Sequence, residues 1–217
     1  MRYFFARLWC STLNVLSGYP RFNKDNDIVD HLPTLLFECN AAAPKLIVEL
    51  GTRGGVSTQT LIGCARTNDA VMVSVDIDDC SHVAKDARWS FVHSDDLKFA
   101  KKFPAWCQEQ GIEPKIDFLF IDTSHEYDHT VAEIAAWFPF LAQKCRVAFH
   151  DTNLCWVYRM RNGRWVARES VNRAVIQAIE EYLGIKIDEH QATVLYKDGW
   201  RISHDAFCSG MAVLERR

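Results

Sequence analysis

The chain has 217 residues, of which 48% are hydrophobic, 24% are charged and 12% are aromatic. This composition is typical of a globular protein and excludes disordered, collagen-like and low-complexity chains. The 25 basic and 28 acidic residues give a net charge of −3, whereas nucleic-acid-binding domains are usually strongly basic. We therefore expect one globular domain, or one with a short appendage, that does not bind nucleic acid.

The N-terminal segment and the cysteines indicate the compartment. Arg7 interrupts the apolar stretch at the N-terminus, and polar residues follow it without a small-residue cleavage site, unlike a signal peptide. No apolar run approaches the roughly 18 residues of a membrane helix. The eight cysteines are scattered, form no C-x-x-C motif and accompany no N-x-S/T glycosylation site. A reduced, cytoplasmic protein without membrane contact is predicted.

From Lys45 onwards, short apolar runs alternate with amphipathic stretches. The predicted strands cover residues 46–51, 71–76, 90–95, 116–122 and 145–151. The predicted helices between them cover residues 56–65, 81–88, 97–110 and 127–141. This alternation predicts parallel β-α-β units in a doubly wound α/β sheet. Residues 1–44 are predicted to form a mainly helical extension, and residues 45–217 the main domain.

The pattern changes after Asp151. Asn162-Gly163 lies between two alternating segments and predicts a hairpin over residues 156–168. A helix over 171–183, a tight turn at Asp198-Gly199 and a final strand near 211–214 follow. The hairpin is a candidate lid that recognises an anionic or sugar-bearing acceptor; a solvated hairpin and a dimer contact are the alternatives. These hypotheses concern its aromatic and arginine residues, namely Trp156, Tyr158, Trp165, Arg159, Arg161, Arg164 and Arg168.

Ligands of open α/β sheets bind beyond the carboxyl ends of the strands. Those ends carry a glycine turn and several polar residues: Glu49, Gly51, Thr52, Arg53, Asp76, Ser94, Asp95, Asp122, His150 and Asp151. A glycine turn admits a ligand close to the backbone, and an acid after the second strand can bind ribose hydroxyls. The G-x-G-x-x-G dinucleotide motif is excluded, because Arg53 and Val56 replace its second and third glycines. A plain strand-to-helix turn is the alternative.

Ordered motifs extend this pattern over about residues 45–152: VELGTRGG, VSVDID, HSDD, FIDTSHEYDHTVAEIAAWFPFL and VAFHDT. Together they resemble class I S-adenosylmethionine-dependent methyltransferases. The last two are most similar to the branch of small natural-product sugar O-methyltransferases and cephalosporin-hydroxylase-like proteins. The resemblance implies a mostly parallel, seven-stranded Rossmann-like sheet with a reversed C-terminal strand. It also implies methyl transfer from S-adenosylmethionine, most plausibly to a hydroxyl of a small-molecule acceptor.

The resemblance also implies residue roles. It assigns Asp76 to the ribose hydroxyls and Asp122 to the region between sulfonium and acceptor. The other cofactor-binding residues divide between the methionine side (Glu49, Gly51, Thr52, Arg53) and the adenine side (Ser94, Asp95). The branch often binds a divalent ion with two adjacent acids after the fifth strand. For this chain, the candidate ion is magnesium or manganese. This chain has His150-Asp151 at that position.

Three interpretations of His150 stay open. It is a metal ligand with Asp122 and Asp151, a general base that takes the acceptor proton, or a group that hydrogen-bonds the loop. Successive strand side chains point to opposite faces, so His150 and Asp151 converge only if the strand has ended. His125 is a further catalytic candidate if it faces the cleft; otherwise it caps the following helix.

His125-Glu126-Tyr127-Asp128-His129 matches the H-E-x-x-H zinc-peptidase motif, which offers an alternative function. The motif belongs within a helix, whereas a predicted strand ends just before it and places His125 in the first helical turn. A non-catalytic nucleotide-binding module is the second alternative. The N-terminal extension either covers the site or forms an interface in a homo-oligomer.

Overall fold

The computed structural model describes residues 2–16, 27–155, 157–167 and 172–216. The strands of its main sheet are β1 (Leu46–Leu50), β2 (Val71–Asp76), β3 (Trp89–His93), β4 (Ile116–Ile121), β5 (Leu141–His150), β8 (Thr193–Lys197), β9 (Trp200–Asp205) and β10 (Met211–Arg216). A separate hairpin contains β6 (Val157–Arg159) and β7 (Trp165–Ala167). The helices are α1 (Arg2–Leu16), α2 (Leu32–Ala41), α3 (Val56–Asn68), α4 (Asp96–Ala100), α5 (Phe103–Glu109), α6 (Tyr127–Trp137) and α7 (Ala174–Leu183).

The main sheet has the order β3-β2-β1-β4-β5-β10-β9-β8. Its first five strands are parallel, and β10 pairs antiparallel with β5. β1 is buried along its whole length, as expected of a central parallel strand with helices on both faces. The α/β class and the reversed C-terminal strand predicted from the sequence are confirmed. The sheet has eight strands where seven were expected, because three strands follow α7.

Apolar side chains fill the space on both faces of the sheet. On one face, Phe103 and Trp137 of α5 and α6 pack with Val48 and other strand residues. On the opposite face, Leu35 of α2 and Leu61 of α3 pack with other strand residues. Because α2 contributes to this core, part of the segment set apart as an extension is built into the domain. Among the described helices, none has the length and apolarity to cross a membrane.

Two helix predictions are wrong. Residues 81–88 form turns, because the carboxylates of Asp79 and Asp86 accept hydrogen bonds from the backbone N–H groups two residues on. The helix predicted over 97–110 is two short helices, with Pro104 in the first turn of α5, where proline is tolerated. α6 ends at Trp137, and Pro139 follows in a 3-10 turn. Trp156, Arg168 and the predicted helix start at Val171 lie outside the described residues.

Candidate active site

The turn after β1 brings the ends of β1 and β4 close together. Gly51 has a φ of +87°, and a Cβ built on it would lie 2.1 Å from the carbonyl oxygen of Asp122. Only glycine tolerates both the backbone conformation and this approach. Gly51 also donates its backbone N–H to the carbonyl of Val75 at 2.9 Å, which links the turn to β2.

Asp76, at the end of β2, holds this turn. One carboxylate oxygen accepts the backbone N–H groups of Thr52 at 2.7 Å and Arg53 at 2.9 Å, and the other accepts that of Asp78 at 2.9 Å. Burial opposes ionisation of Asp76, but these hydrogen bonds outweigh it and lower its pKa. Asp76 is therefore an ionised acceptor that remains partly open to solvent.

A cavity of about 290 Å³ lies beyond these strand ends. It brings together six of the residues predicted to contact a cofactor, namely Gly51, Arg53, Asp76, Ser94, Asp95 and Asp122. Asp95 also caps α4 by accepting the backbone N–H of Lys98 at 2.8 Å. Thr52 contributes its backbone to the turn; its hydroxyl is buried without a hydrogen-bond partner among the described residues.

Glu49 does not line this cavity, contrary to the sequence prediction. Its side chain is fully buried and accepts hydrogen bonds from Ser57 at 2.7 Å, Thr58 at 2.7 Å and Ser74 at 2.6 Å. These hydroxyls come from α3 and β2, so they direct the carboxyl group into the fold. Burial raises the pKa of Glu49 to about 7, although the three hydroxyl donors oppose the shift.

Two acids and two histidines meet at the ends of β4 and β5. The Nε2 atom of His125 lies 2.8 Å from Asp151 Oδ2 and 3.3 Å from Asp122 Oδ1. The Nδ1 atom of His150 lies 3.2 Å from Asp122 Oδ1 and 3.6 Å from Asp151 Oδ2. β5 ends at His150, and Asp151 has a φ of +56°, so adjacent side chains converge. We call these four residues the histidine cluster.

Burial would lower the pKa of both histidines in the histidine cluster, but the two carboxylates outweigh it. The pKa of His125 is raised to about 9 and that of His150 to about 10. Burial would raise the pKa values of the acids; His150 and His125 instead lower that of Asp122 to about 2 and that of Asp151 far below its usual range. Two imidazolium ions and two carboxylates therefore balance in charge near pH 7.

The histidine cluster also has the donors for a divalent cation. One ligand atom from each of Asp122, His125 and Asp151 lies within 4.8 Å of the other two. His150 was the histidine expected in this set. It is only 2% exposed, and its Nε2 atom already contacts Ser209 Oγ at 3.1 Å. His150 also forms a ligand group with Asp27 and Asp151, so both histidines are candidate nitrogen ligands, and His125 is the more exposed of the two.

Sequence reasoning missed two neighbours of the histidine cluster. Asp27 offers a carboxylate oxygen near His150 and Asp151, and the ring of His31 packs edge-on against His150 with centroids 5.3 Å apart. Both belong to a 3-10 turn more than a hundred residues earlier in the chain. No local pattern in the sequence signals this long-range contact.

The H-E-x-x-H pairing is wrong. α6 begins at Tyr127, so His125 precedes the helix, with a φ of +57°. The Nε2 atom of His129 lies 3.1 Å from Asp96 Oδ1, whereas His125 contacts the acids of the histidine cluster. The two histidines thus face different acidic groups, and the motif does not form a peptidase zinc site.

The hairpin arginines make contacts within the fold. Arg161 forms an ion pair with Asp205 at 3.1 Å, and its backbone N–H donates to Asp30 at 2.9 Å. Arg164 is only 5% exposed. Arg159 lies over the ring of Trp165, 5.9 Å from its centroid. These contacts engage the arginines within the fold and give no support to an acceptor lid; the lid, the solvated hairpin and the dimer contact stay hypotheses.

The sequence pattern of a family described as a methyltransferase domain matches residues 48–152, from within β1 to just beyond β5. This segment, just under half of the chain, is similar in sequence to methyltransferase domains. The match includes the glycine turn, Asp76 and all four residues of the histidine cluster. The resemblance recognised in the sequence is confirmed. No curated protein matches the chain.

Two solved structures share the fold of this chain, and a third is less similar. A putative caffeoyl-CoA O-methyltransferase from Staphylococcus aureus is 14% identical, with a TM-score of 0.57 over 97% of this chain and 92% of that chain. An O-methyltransferase from Bacillus cereus, in complex with SAH, is 14% identical, with a TM-score of 0.56 over 98% and 90%. The MycE methyltransferase from the mycinamycin pathway, in complex with Mg and SAH, is 19% identical with a TM-score of 0.45; 66% of this chain spans 39% of it.

Proposed function

We propose that the chain is an S-adenosylmethionine-dependent O-methyltransferase that acts on a hydroxyl of a small molecule. The observation that carries this proposal is the position of Asp122, which lines the cavity and also contacts His125 and His150. A methyl donor in the cavity and a hydroxyl at the histidine cluster would meet at this carboxylate. The similar protein from Bacillus cereus, an O-methyltransferase with bound SAH, supports the same chemistry.

The residues around the cavity fit an adenosyl cofactor. Asp76 is an ionised, partly open acceptor suited to the two ribose hydroxyls, and Ser94 and Asp95 supply polar groups beside it. The buried hydroxyl of Thr52 has no hydrogen-bond partner among the described residues, and a polar ligand would supply one. Bound S-adenosylmethionine supplies a methyl group on a positively charged sulfur.

The histidine cluster can accept the proton of the attacking hydroxyl once His125 has lost its own proton, because both histidines are protonated near pH 7 in the free protein. His125 is the proposed general base, because its side chain is 20% exposed whereas that of His150 is 1% exposed. Its Nε2 atom faces Asp122 and Asp151, which orient the ring and stabilise the imidazolium formed. The pKa of His125 would fall beside a bound sulfonium, because two positive charges repel. His150, held by Ser209, is a positioning residue.

A divalent ion, magnesium or manganese, is the second way in which these residues could activate the hydroxyl. Asp122 and Asp151 would hold it with His125, or with His150 as the sequence suggests. The ion would act as a Lewis acid that lowers the pKa of the acceptor hydroxyl. The donor set, two carboxylates and one imidazole, fits manganese better than magnesium.

A cytoplasmic location and a possible homo-oligomer are part of the same proposal. None of the eight cysteines forms a disulfide bond in the described part of the chain, and seven of them are buried, which suits a reducing compartment. The exposed apolar side chains of α1 and α2, including Trp9 and Phe37, suit an interface between copies.

The first experiment is calorimetric titration with S-adenosylhomocysteine. We expect wild-type protein to bind it, and Asp76→Ala to weaken binding about a hundredfold, because charge-assisted hydrogen bonds to the ribose are lost. Asp128→Ala, which removes an exposed carboxylate from the first turn of α6, is the matched control and should bind normally. Equal affinity in wild type and Asp76→Ala would overturn the cofactor assignment.

His125→Gln then separates an enzyme from a nucleotide-binding module. This variant should bind S-adenosylhomocysteine like wild type and lose methyl transfer across a screen of hydroxyl acceptors. A wild-type protein that binds the cofactor product and methylates no hydroxyl acceptor would favour the binding module.

A further inference from the structure

A second group of ligand-type side chains joins α4 to α6, and the proposed methyl transfer does not use it. Asp96 lies in the first turn of α4, and His129 and Glu133 lie one turn apart on α6. His129 Nε2 is 3.1 Å from Asp96 Oδ1 and 3.6 Å from Glu133 Oε1. One ligand atom from each residue lies within 4.8 Å of the other two. We call this group the helix-bridging triad.

Two oxygens of the helix-bridging triad are buried without partners. Glu133 is fully buried and Asp96 is 8% exposed. Glu133 Oε1 accepts a hydrogen bond from Thr123 at 2.7 Å, but Glu133 Oε2 and Asp96 Oδ2 have no hydrogen-bond partner among the described residues. Burying a carboxylate oxygen without a donor or a cation is costly.

A proton on Glu133 relieves part of this cost in the protein without a cation. Burial, together with the negative charge of Asp96, raises the pKa of Glu133 to about 8. His129 stands beside both acids with its side chain 24% exposed, so a third donor is reachable from the cavity. The triad therefore combines an unsatisfied pair of acids, an imidazole and a route from solvent.

We propose that Asp96, His129 and Glu133 bind a divalent transition-metal ion at the wall of the cofactor cavity. Carboxylates with an imidazole are ligands for zinc, manganese and iron, and three protein ligands leave a position for water. The ion would supply the partner that Asp96 Oδ2 and Glu133 Oε2 lack, and it would tie α4 to α6. Asp96 and His129 also line the cavity, so the ion would brace that wall.

This site shares no ligand with the histidine cluster and takes no part in proton transfer. The competing interpretation is a purely hydrogen-bonded network, in which His129 donates to Asp96 and a protonated Glu133 completes the contact. The two interpretations differ in whether the protein binds an ion that depends on His129.

The test is a titration of metal-free protein with Co²⁺, whose visible absorption reports nitrogen and oxygen ligands. We expect His129→Ala to lose one equivalent of bound Co²⁺ and its absorption band. His82→Ala, which removes an exposed histidine, is the matched control and should titrate like wild type. Because the histidine cluster can also bind Co²⁺, Asp151→Asn is titrated as well and should retain the equivalent that depends on His129.

Glu133→Gln provides a second variant that preserves the fold. Glutamine resembles the protonated acid, and its amide oxygen can still accept the hydrogen bond from Thr123. Without metal, we expect a melting temperature no lower than that of wild type, and we expect Co²⁺ affinity to be at least about tenfold weaker, since even outer partners of metal ligands cost 10- to 100-fold. Wild-type Co²⁺ binding in both His129→Ala and Glu133→Gln would overturn the proposal and leave a hydrogen-bonded network only.

Discussion

His31 is fully buried, and neither of its ring nitrogens has a hydrogen-bond partner among the described residues. Burial and the neighbouring His150 lower the pKa of His31 to about 4, so its imidazole is neutral near pH 7. An unpaired polar atom in the interior costs about 1–3 kcal/mol. His31 therefore weakens the fold at the position where it packs against the histidine cluster.

Replacing His31 with a similar-sized apolar residue should stabilise the protein. We expect His31→Leu to raise the free energy of unfolding by about 1 kcal/mol in urea denaturation, because the unpaired nitrogens are removed. The matched control is His204→Leu, which removes a histidine that is 3% exposed but bonded to Thr152 and Gln191. His204→Leu should be less stable than wild type. An equal loss in both variants would show that His31 has a partner in solution.

For single residues, the sequence predicts the position of a side chain where that position follows from the sheet alone. Asp76, Asp122 and Asp151 follow parallel strands, and the carboxyl ends of parallel strands share one edge. Glu49 is different, because its direction depends on three hydroxyls that α3 and β2 bring to it. His31 depends on how a distant segment packs, which spacing in the sequence does not reveal.

The turn between β1 and α3 contains three glycines, of which Gly51 and Gly54 have opposite requirements. Gly51 has a φ of +87°, and its added Cβ would lie 2.1 Å from the backbone of Asp122. A Cβ on Gly54 would meet no atom within 4 Å. Substitution by alanine therefore tests the close approach of the strand ends at Gly51. At Gly54, the same substitution tests only the effect of adding a methyl group.

We expect Gly51→Ala to lower the free energy of unfolding by about 3 kcal/mol or more, through backbone strain and the clash with β4. It should also weaken S-adenosylhomocysteine binding, since the turn forms part of the cavity. Gly54→Ala should change stability by no more than about 0.5 kcal/mol. Urea denaturation and calorimetry measure both effects. Similar stability of the two variants would contradict the close approach of β1 and β4.

Strands were easier to predict than helices in this chain. Buried β-branched runs such as 46–50 and 116–121 are hydrophobic on both faces, and a central parallel strand requires this pattern. The amphipathic pattern over 97–110 continues across Lys101 and Lys102, where a turn separates α4 from α5. The polar segment 81–88 had no strong apolar period, and side-chain hydrogen bonds in its turns replaced helical ones.

Across the described part of the molecule, four groups have pKa values raised to between about 7 and 10, so they keep protons that the unfolded chain would lose. The pKa is about 7 for Glu49 and about 8 for Glu133, against an ordinary value of 4.5. It is about 9 for His125 and about 10 for His150, against 6.5. His31, whose pKa is lowered to about 4, has the opposite effect below about pH 6.5. Above that pH the folded state binds more protons than the unfolded state, and its stability falls as pH rises towards 10.

The metal-free protein should therefore melt at a lower temperature at pH 9 than at pH 6, by roughly 5 °C or more. Asp122 and Asp151 have lowered pKa values, so their contribution is lost only in more acidic solution. Glu133→Gln should show a smaller decrease between pH 6 and 8, because one of the four groups is removed. Calorimetric melting across this range is the measurement, and a melting temperature that rises with pH would contradict the assignment.

Synthesis from the N-terminus leaves the sheet incomplete until β10 emerges from the ribosome. β10 pairs with β5 on one side and β9 on the other, so a strand that follows all the others in the sequence lies inside the sheet. Until then, β5 presents an unpaired edge, and such edges promote aggregation. Ser209, which contacts His150, arrives equally late. Protection of this edge by chaperones would then limit how much active protein a cell obtains.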